Sequence, residues 1–308
     1  MAIHAISLIK NEADIIERTL AAAVRWCDHI YVFDNGSTDG TWEKVQAMAK
    51  EFTQIVPWKQ DPKPFTDGLR AEVFRNFSDR AKPGDWWCIL DADEIYIDDP
   101  AEFLAPIPDC YESVWHQHYT YLFTDEDAEE YARDPQEYEK VPAPDRLRYY
   151  ALSEYSEPRF VRHMRGRSHP VWYRHPIYPR RIKLRHYGYR SPRQITRRLE
   201  TRREPMLRGE FIHEKRSNWQ PGGFALPGPA APSDLPGGWE ERIVPSEECH
   251  LDTGVESLLP PRPWDSDVMT SPPPRRVSKA GRLKQLARRV EQSLSWRSVP
   301  DDSSPPKG

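Results

Sequence analysis

Three acidic side chains lie within four positions of the segment "WWCILDADEIYI", which runs from Trp86 to Ile97. They are Asp91, Asp93 and Glu94, and they follow an apolar run that is typical of a buried strand. Two carboxylates separated by one residue can face the same space where the backbone turns out of a sheet. Such hard oxygen ligands suit Mg²⁺ or Mn²⁺ and commonly share the ion with substrate phosphates. An acidic turn that caps a helix is the plainer alternative for the triplet taken alone.

Two other polar clusters follow apolar runs in the same way. "KNE" follows "AISLI" near the N-terminus, and "DNGSTDG" begins at the end of "IYVFD". Strand-like and helix-like patterns alternate four times over roughly the first 95 residues, which favours βαβ crossovers and a mostly parallel sheet with flanking helices. Ligands of such sheets bind beyond the carboxyl ends of the strands. The sequence therefore predicts an α/β, Rossmann-like fold in which the three clusters line one cleft.

The second half of the chain is markedly basic. Between Arg159 and Arg216 there are 18 Lys and Arg residues against 4 Asp and Glu, although the whole chain has a net charge of −4. This segment is suited to an anionic partner. Its pattern predicts short strands up to Arg190 and a basic helix from Pro192 to Leu207, whereas the order of elements between Asp98 and Pro158 is not predicted.

The C-terminal part has a different composition. Residues 216–278 are rich in Pro and Gly and are predicted to be a disordered linker, and residues 298–308 a disordered tail. Between them, residues 279–297 place Leu and Val on one face and Lys and Arg on the other. This pattern predicts a basic amphipathic helix that either contacts an anionic membrane surface or docks on its own domain.

Composition also indicates the cellular compartment. The four cysteines are widely spaced, with no CxxC pair, so we expect reduced thiols and no structural zinc. The N-terminus lacks the basic region and cleavage site of a signal peptide, and no window approaches the roughly 18 apolar residues of a membrane span. We therefore expect a cytoplasmic protein, with contact at the inner face of the cell membrane as an alternative through residues 279–297.

Several motifs together resemble a known family. "SLIKNEADIIERTL", "VFDNGSTDGT", the Arg75–Asn76 pair and "WWCILDADE" occur in the order and at about the spacing of bacterial family 2 glycosyltransferases with the GT-A fold. The later "HYGYRSPRQITRR" is similar to the downstream segment of the branch that often opens with "KNE". The resemblance implies a catalytic domain over residues 1–215, with a nucleotide-sugar-binding half (1–97) and an acceptor-binding, basic half (98–215).

The resemblance also implies roles for individual side chains. Asp34 corresponds to the Asp that binds the nucleotide base, with a purely structural Asx-turn as its alternative role. Asp91 and Asp93 correspond to the pair that binds the ribose and a metal ion, Mn²⁺ or Mg²⁺, between the two phosphates. The residues expected to lie beside the nucleotide are Lys10, Glu12 and Arg70, with Arg75 as the alternative to Arg70.

Two roles are left open between alternatives. Relatives often recruit a downstream His as a further metal ligand, for which His186 is the candidate and His169 its competitor. Inversion at the anomeric carbon needs a general base, and neither candidate, Glu154 or Glu94, is fixed by a motif; Glu94 could instead brace the acidic turn.

The function predicted on this basis is metal-dependent, inverting transfer of a sugar from a UDP- or GDP-linked donor. The acceptor would be a glycan or a lipid-linked molecule, in surface polysaccharide or glycoconjugate synthesis. Two alternatives remain: a nucleotidyltransferase, and a protein that binds or glycosylates nucleic acid through the basic segment. Binding of nucleic acid is the less favoured, because it leaves the polar clusters at the sheet edge unexplained.

Overall fold

The computed structural model describes residues 1–63, 66, 68–152, 156–164, 176–207 and 237–254. Within these ranges the chain forms ten strands and eight α-helices. The strands are β1 Ile3–Ile9, β2 His29–Asp34, β3 Ile55–Gln60, β4 Trp86–Ile89, β5 Glu94–Tyr96, β6 Ser113–Tyr121, β7 Tyr149–Leu152, β8 Pro158–Arg162, β9 Ile182–His186 and β10 His250–Leu251. The helices are α1 Ile16–Ala23, α2 Thr41–Glu51, α3 Gly68–Phe77, α4 Pro100–Leu104, α5 Asp125–Arg133, α6 Pro135–Lys140, α7 Ala143–Arg146 and α8 Pro192–Leu207.

The first four predicted strands form one parallel unit. Their order across the sheet is β4, β1, β2, β3, and every pairing among them is parallel. The intervening chain between β1 and β2, and between β2 and β3, forms helices α1 and α2, as βαβ crossovers require. The prediction of an α/β fold with a parallel core and flanking helices is therefore confirmed.

The rest of the sheet is mixed. Strand β8 pairs antiparallel with β4, and β6, β7 and β10 continue the sheet by antiparallel pairing. Strand β9 lies parallel to β6 and antiparallel to β5. Because β8 lies directly beside β4, strands from the predicted donor half and acceptor half share one sheet.

The apolar periodicity of the first 100 residues is explained by two cores, one on each face of the sheet. Alternate residues of β1 belong to different clusters: Ile3 and Ala5 pack with helix α1, whereas Ile6 and Leu8 pack with helix α3. Such a strand is buried on both faces and therefore reads as a continuous apolar run. The helix faces that cover it are apolar and buried: Ile16, Leu20 and Ala23 of α1, and Leu69, Val73 and Phe77 of α3.

Residues 237–254 differ from the predicted linker, because they are packed on the domain. Trp239 contacts Phe123 with ring centroids 6.3 Å apart, Val244 donates a backbone hydrogen bond to the Phe123 carbonyl, and β10 adds to β7. Arg242 and Val244 are buried. A segment rich in Pro and Gly can thus be ordered when its few apolar side chains find a hydrophobic surface.

The structure reveals no helix that is both long and apolar enough to cross a bilayer among the residues it describes. The predicted amphipathic helix 279–297 and the predicted tail 298–308 lie outside the described residues, so both stay predictions.

Candidate functional site

The three polar clusters come together at the carboxyl edge of the parallel strands. Strands β2 and β4 both pair with β1, which leads into "KNE", while β2 leads into "DNGSTDG" and β4 into "DADE". The backbone conformations required here are unusual. Asn11 has a positive φ of 56°, and Gly36 and Gly40 have φ values of 80° and 93°. Asn and Gly tolerate this left-handed region best, which explains their presence in these turns.

Hydrogen bonds tie the first turn to the second. The backbone N–H of Asn11 donates to Ser37 Oγ at 2.8 Å, and that of Glu12 donates to Thr41 Oγ1 at 2.8 Å. In return, the Asn11 side-chain oxygen accepts from the N–H of Thr38 at 2.9 Å. The two turns therefore form one rigid rim for the cleft.

Asp34 has one oxygen in use and one oxygen free. Its Oδ1 accepts hydrogen bonds from the backbone N–H groups of Gly36, at 2.8 Å, and Ser37, at 2.7 Å. Its Oδ2 is buried and has no hydrogen-bond partner. A buried acceptor without a donor is unfavourable in free energy, so Oδ2 can accept a hydrogen bond from a bound ligand. The Asx-turn and the binding of a base are thus compatible roles of one carboxylate.

Asp91 lies between two arginines at the mouth of this edge. Its Oδ1 accepts from Arg70 at 2.9 Å and its Oδ2 from Arg159 at 3.4 Å. The Asp91 side chain retains 30% exposure, whereas that of Arg70 is 12% exposed. Arg70 therefore contacts the acidic turn, while the alternative, Arg75, is exposed in the last turn of α3; the role of Arg70 beside the nucleotide stays a prediction.

Glu94 forms a buried two-point ion pair with Arg159. The guanidinium donates from Nη2 at 2.6 Å and from Nε at 2.9 Å, and the two side chains are 2% and 3% exposed. Burial raises the pKa of Glu94, and the charge of Arg159 opposes this rise. Arg159 also contacts Glu157 and Asp91. This ion pair links the acidic turn to β8, as the bracing role of Glu94 would require; the choice between its two roles stays a prediction.

Asp93 faces a cationic wall. Its Oδ2 lies 3.3 Å from Arg198 Nη1, 3.6 Å from His186 Nε2 and 4.0 Å from Arg190 Nη1. Burial alone would raise the pKa of Asp93, but His186 and the two arginines outweigh it and hold this pKa well below its ordinary value. Asp93 is consequently a buried carboxylate that stays ionised, as a metal ligand must be.

His186 reaches this position because of the glycine two residues later. A Cβ atom on Gly188 would lie only 2.9 Å from His186 Cε1, so a larger residue would push the ring away. The Gly in "HYGYRS" is thus explained by close approach to the histidine.

Arg190 is completely buried and donates hydrogen bonds to side chains of the first turn. It donates to Asp14 at 2.7 and 2.9 Å, to Glu12 at 2.6 Å and to the Tyr187 carbonyl at 2.8 Å. Burial raises the pKa of Glu12 to about 7 in spite of Arg190. The Glu12 side chain thus accepts a hydrogen bond from Arg190 of the same domain, and a direct role toward a nucleotide stays a prediction. Lys10 is half-buried, one residue after β1.

Two predicted residues cannot be placed. Glu154, the candidate base, and His169, the competitor of His186, both lie outside the described residues. The sequence analysis in turn missed several side chains that the structure brings to the acidic cluster. Their only sequence signals were the charge of the basic segment and the alternating histidines in "WHQHY". The missed residues are Arg159, Arg190, Arg198, His116 and His118.

Residues 5–121 match the family model described as Glycosyl transferase family 2. The matched range extends from within β1 to the end of β6 and includes Asp34, Asp91 and Asp93. The match agrees, over these residues, with the resemblance to this family that the sequence motifs indicate. A search of curated proteins gave no match.

Among solved structures, the chain is similar to the mannosyltransferase PcManGT of Pyrobaculum calidifontis in complex with GDP-Man and Mn²⁺. Their identity is 17%, the TM-score is 0.28, and 46% of this chain and 39% of that chain are covered. For S. aureus TarS the values are 15% identity, TM-score 0.25, and coverage of 41% and 22%. For the bifunctional enzyme WbbM, whose structure was solved without ligands, they are 13%, 0.26, 53% and 31%. The chain thus spans less than half of each of these structures. No inference about its substrate or metal is drawn from similarity at these TM-scores.

Proposed function

We propose that the protein is a glycosyltransferase that moves a sugar from a nucleotide-diphosphate sugar to a hydroxyl acceptor. One observation carries the proposal: Asp34 at the end of β2, and Asp91 and Asp93 after β4, lie at one edge of the parallel sheet on either side of β1, inside the range that matches family 2. Ligands of open α/β sheets bind at that edge.

The contacts support a role for each part of the donor. The partnerless Oδ2 of Asp34 can accept the imide N–H of uracil or guanine. Asp91, the most exposed carboxylate of the "DADE" turn, is suited to the ribose. Arg70 and Arg198 lie beside the two aspartates, where their charges can stabilise a departing diphosphate. Such charges increase the rate because they bind the transition state more strongly than the ground state.

A divalent ion, Mn²⁺ or Mg²⁺, is part of the proposal. Asp93 Oδ2 and His186 Nε2 are 3.6 Å apart, close enough for both to bind one ion after a small adjustment, so these two residues fit the metal that the resemblance implies. Asp91 is the third residue of the predicted metal-binding set. When bound, the ion would neutralise charge that develops on the diphosphate.

The general base and the acceptor site are the remaining parts of the proposal. Glu94 is held by Arg159 through both oxygens, which suits bracing better than proton transfer, so Glu154 remains our candidate for the base. A cavity of about 420 Å³ lies along α8 and is lined by Arg197, Tyr131 and Trp239. Arg197 also contacts Asp39 of the second turn. Aromatic faces and charged groups next to the donor rim are compatible with a glycan or lipid-linked acceptor.

The burial of the arginines argues against nucleic acid as the partner of the basic segment. Arg159 and Arg190 are 3% and 0% exposed and face carboxylates of the same domain. These two guanidinium charges are therefore paired with carboxylates inside the protein.

A panel of nucleotide sugars tests the proposal directly. We expect one UDP- or GDP-linked sugar to raise the melting temperature in the presence of Mn²⁺, because a ligand that binds only the folded state stabilises it. The same donor should be hydrolysed slowly without an acceptor. A panel in which no nucleotide sugar binds, with or without Mn²⁺, would contradict the proposal.

A further inference from the structure

Next to the acidic turn, three side chains form a second group of metal-ligating atoms. Glu94, His116 and His118 each offer one donor atom, and these atoms lie within 4.8 Å of one another. The two histidines are separated by one residue along β6, so they project from the same face of the strand. Their ring centroids lie 4.6 Å apart. We propose that Glu94, His116 and His118 bind a divalent transition-metal ion of the zinc class.

His116 is arranged as a metal ligand would be. Its Nδ1 lies 2.9 Å from the Glu157 carbonyl oxygen, which can accept a hydrogen bond from the ring. The backbone N–H of Glu157 lies farther from the same Nδ1, at 3.3 Å, so the shorter contact to the carbonyl favours the tautomer in which Nδ1 carries the proton and Nε2 keeps its lone pair. His116 is fully buried, and its Nε2 has no hydrogen-bond partner. A buried lone pair without a donor is satisfied when a cation binds to it.

Packing and strand pairing hold the two histidines in place. The His118 ring is stacked on that of His186 at 5.4 Å, which fixes its plane. Strand β9, which carries His186, pairs with both β5 and β6, so the three ligands are held in one part of the sheet.

Glu94 can bind an ion without leaving Arg159. A carboxylate has about four lone-pair sites on its two oxygens, and the guanidinium occupies one on each. Arg159 is shared among Glu94, Glu157 and Asp91, so its single charge does not cancel theirs. In a tetrahedral zinc site the ligand atoms lie about 3.4 Å apart. The present spacing therefore needs only small side-chain rotations to close.

The donor set distinguishes this site from the proposed Mn²⁺ or Mg²⁺ site. Two imidazoles and one carboxylate favour Zn²⁺, whereas Asp91 and Asp93 offer the oxygen ligands that Mg²⁺ and Mn²⁺ prefer. The ion would link β5 to β6 and hold Glu94 beside Asp93. The expectation of no structural zinc concerned cysteine ligands, whereas this site has two histidines and a glutamate.

Metal binding by the full chain tests the proposal. Protein stripped with a chelator is titrated with Zn²⁺ by calorimetry, and a Co²⁺-loaded sample is examined by visible absorption. We expect one equivalent of Zn²⁺ and the intense bands of four-coordinate Co²⁺. His116→Gln and His118→Gln should each weaken Zn²⁺ binding at least tenfold. Asp93→Asn is the matched control and should retain this equivalent.

The opposite pattern would overturn the proposal. It fails if the wild-type protein takes up no Zn²⁺, or if Asp93→Asn removes the equivalent while the two β6 variants keep it. Should the β6 variants not fold, the Co²⁺ spectrum of the wild-type protein decides, because weak six-coordinate bands contradict the site. These readouts do not require sugar transfer, so this proposal and the proposed function can fail separately.

Discussion

The guanidinium of Arg159 on β8 and the carboxylate of Glu94 on β5 meet in two hydrogen bonds, at 2.6 and 2.9 Å, where neither side chain is more than 3% exposed. Removing one member of such a pair leaves the other charge buried without its partner. We expect Arg159→Met to lower the free energy of unfolding by about 3 to 5 kcal/mol, measured by urea denaturation at neutral pH.

The double variant Arg159→Met with Glu94→Gln is the control for this prediction. It removes both charges, so it should be more stable than Arg159→Met alone. If the double variant were the less stable of the two, the loss would come from packing or from Asp91 and not from the unpaired Glu94.

Asp93 is expected to be essential for transfer but not for folding. Asp93→Asn keeps the shape of the side chain and removes the charge that faces His186 and Arg198. We expect donor turnover to fall by about two orders of magnitude or more, since charge stabilisation at a leaving group is typically worth this much. The measurement is nucleotide release from the donor, with a melting curve on the same sample.

Asp109→Asn provides the comparison for Asp93, because the Asp109 side chain is 99% exposed. Its turnover should equal that of the wild-type protein. Wild-type turnover in Asp93→Asn would remove Asp93 from the site.

Asp34→Asn should weaken binding of the nucleotide. The new amide can keep its oxygen toward the N–H groups of Gly36 and Ser37, but it then presents an NH₂ group where Asp34 Oδ2 was free. A lost hydrogen bond to a charged group corresponds to roughly 10- to 100-fold in affinity. Calorimetry with UDP and with GDP measures the effect, and unchanged affinity for both would contradict the base-binding role.

His4 predicts how stability changes in acid. Burial, and after it the nearby His29, lower the pKa of His4 from 6.5 to about 4. Between these two values the unfolded chain binds a proton that the folded protein does not, so acid favours unfolding. The stability present above pH 6.5 should fall by at most about 3 kcal/mol as the pH drops to about 4.

Urea denaturation across this pH range measures the change. In His4→Gln the slope of stability against pH should become flatter. An equal slope in both proteins would assign the acid sensitivity to other groups.

Residues 237–254 make the effect of truncation depend on where the chain is cut. A chain that ends at Gly254 keeps the contacts of Trp239, Val244 and β10, whereas one that ends at Gln220 loses them. We expect the shorter chain to melt at a lower temperature than the chain that ends at Gly254. Equal melting temperatures would mean that these contacts add nothing to the stability of the domain.

Local patterns predicted the parallel part of the fold well. The apolar run of β1 and the helical spacing of α3 each depend on neighbours within a few residues, and the basic helix α8 was predicted with the bounds Pro192–Leu207 that the structure has. The positions of these aspartates followed from the same strands, because Asp34 ends β2 and Asp91 and Asp93 lie in the short turn after β4.

The partners of these aspartates could not be predicted in the same way. Arg159 reaches Glu94 only because β8 pairs antiparallel with β4, and Arg190 reaches Asp14 across 176 positions of sequence. Composition indicates that the later segment is basic, but not which arginine turns inward. The same applies to His116 and His118, whose importance depends on the distant Glu94.

The late position of Arg159 and Arg190 has a consequence for synthesis on the ribosome. Glu94 and Glu12 emerge long before the cations that neutralise them, and a buried carboxylate without its cation is unfavourable. The early strands therefore cannot settle into their final arrangement until translation has passed residue 190. We expect the nascent chain to acquire its protease-resistant form in one late step, and not as a donor-binding half followed by a second half.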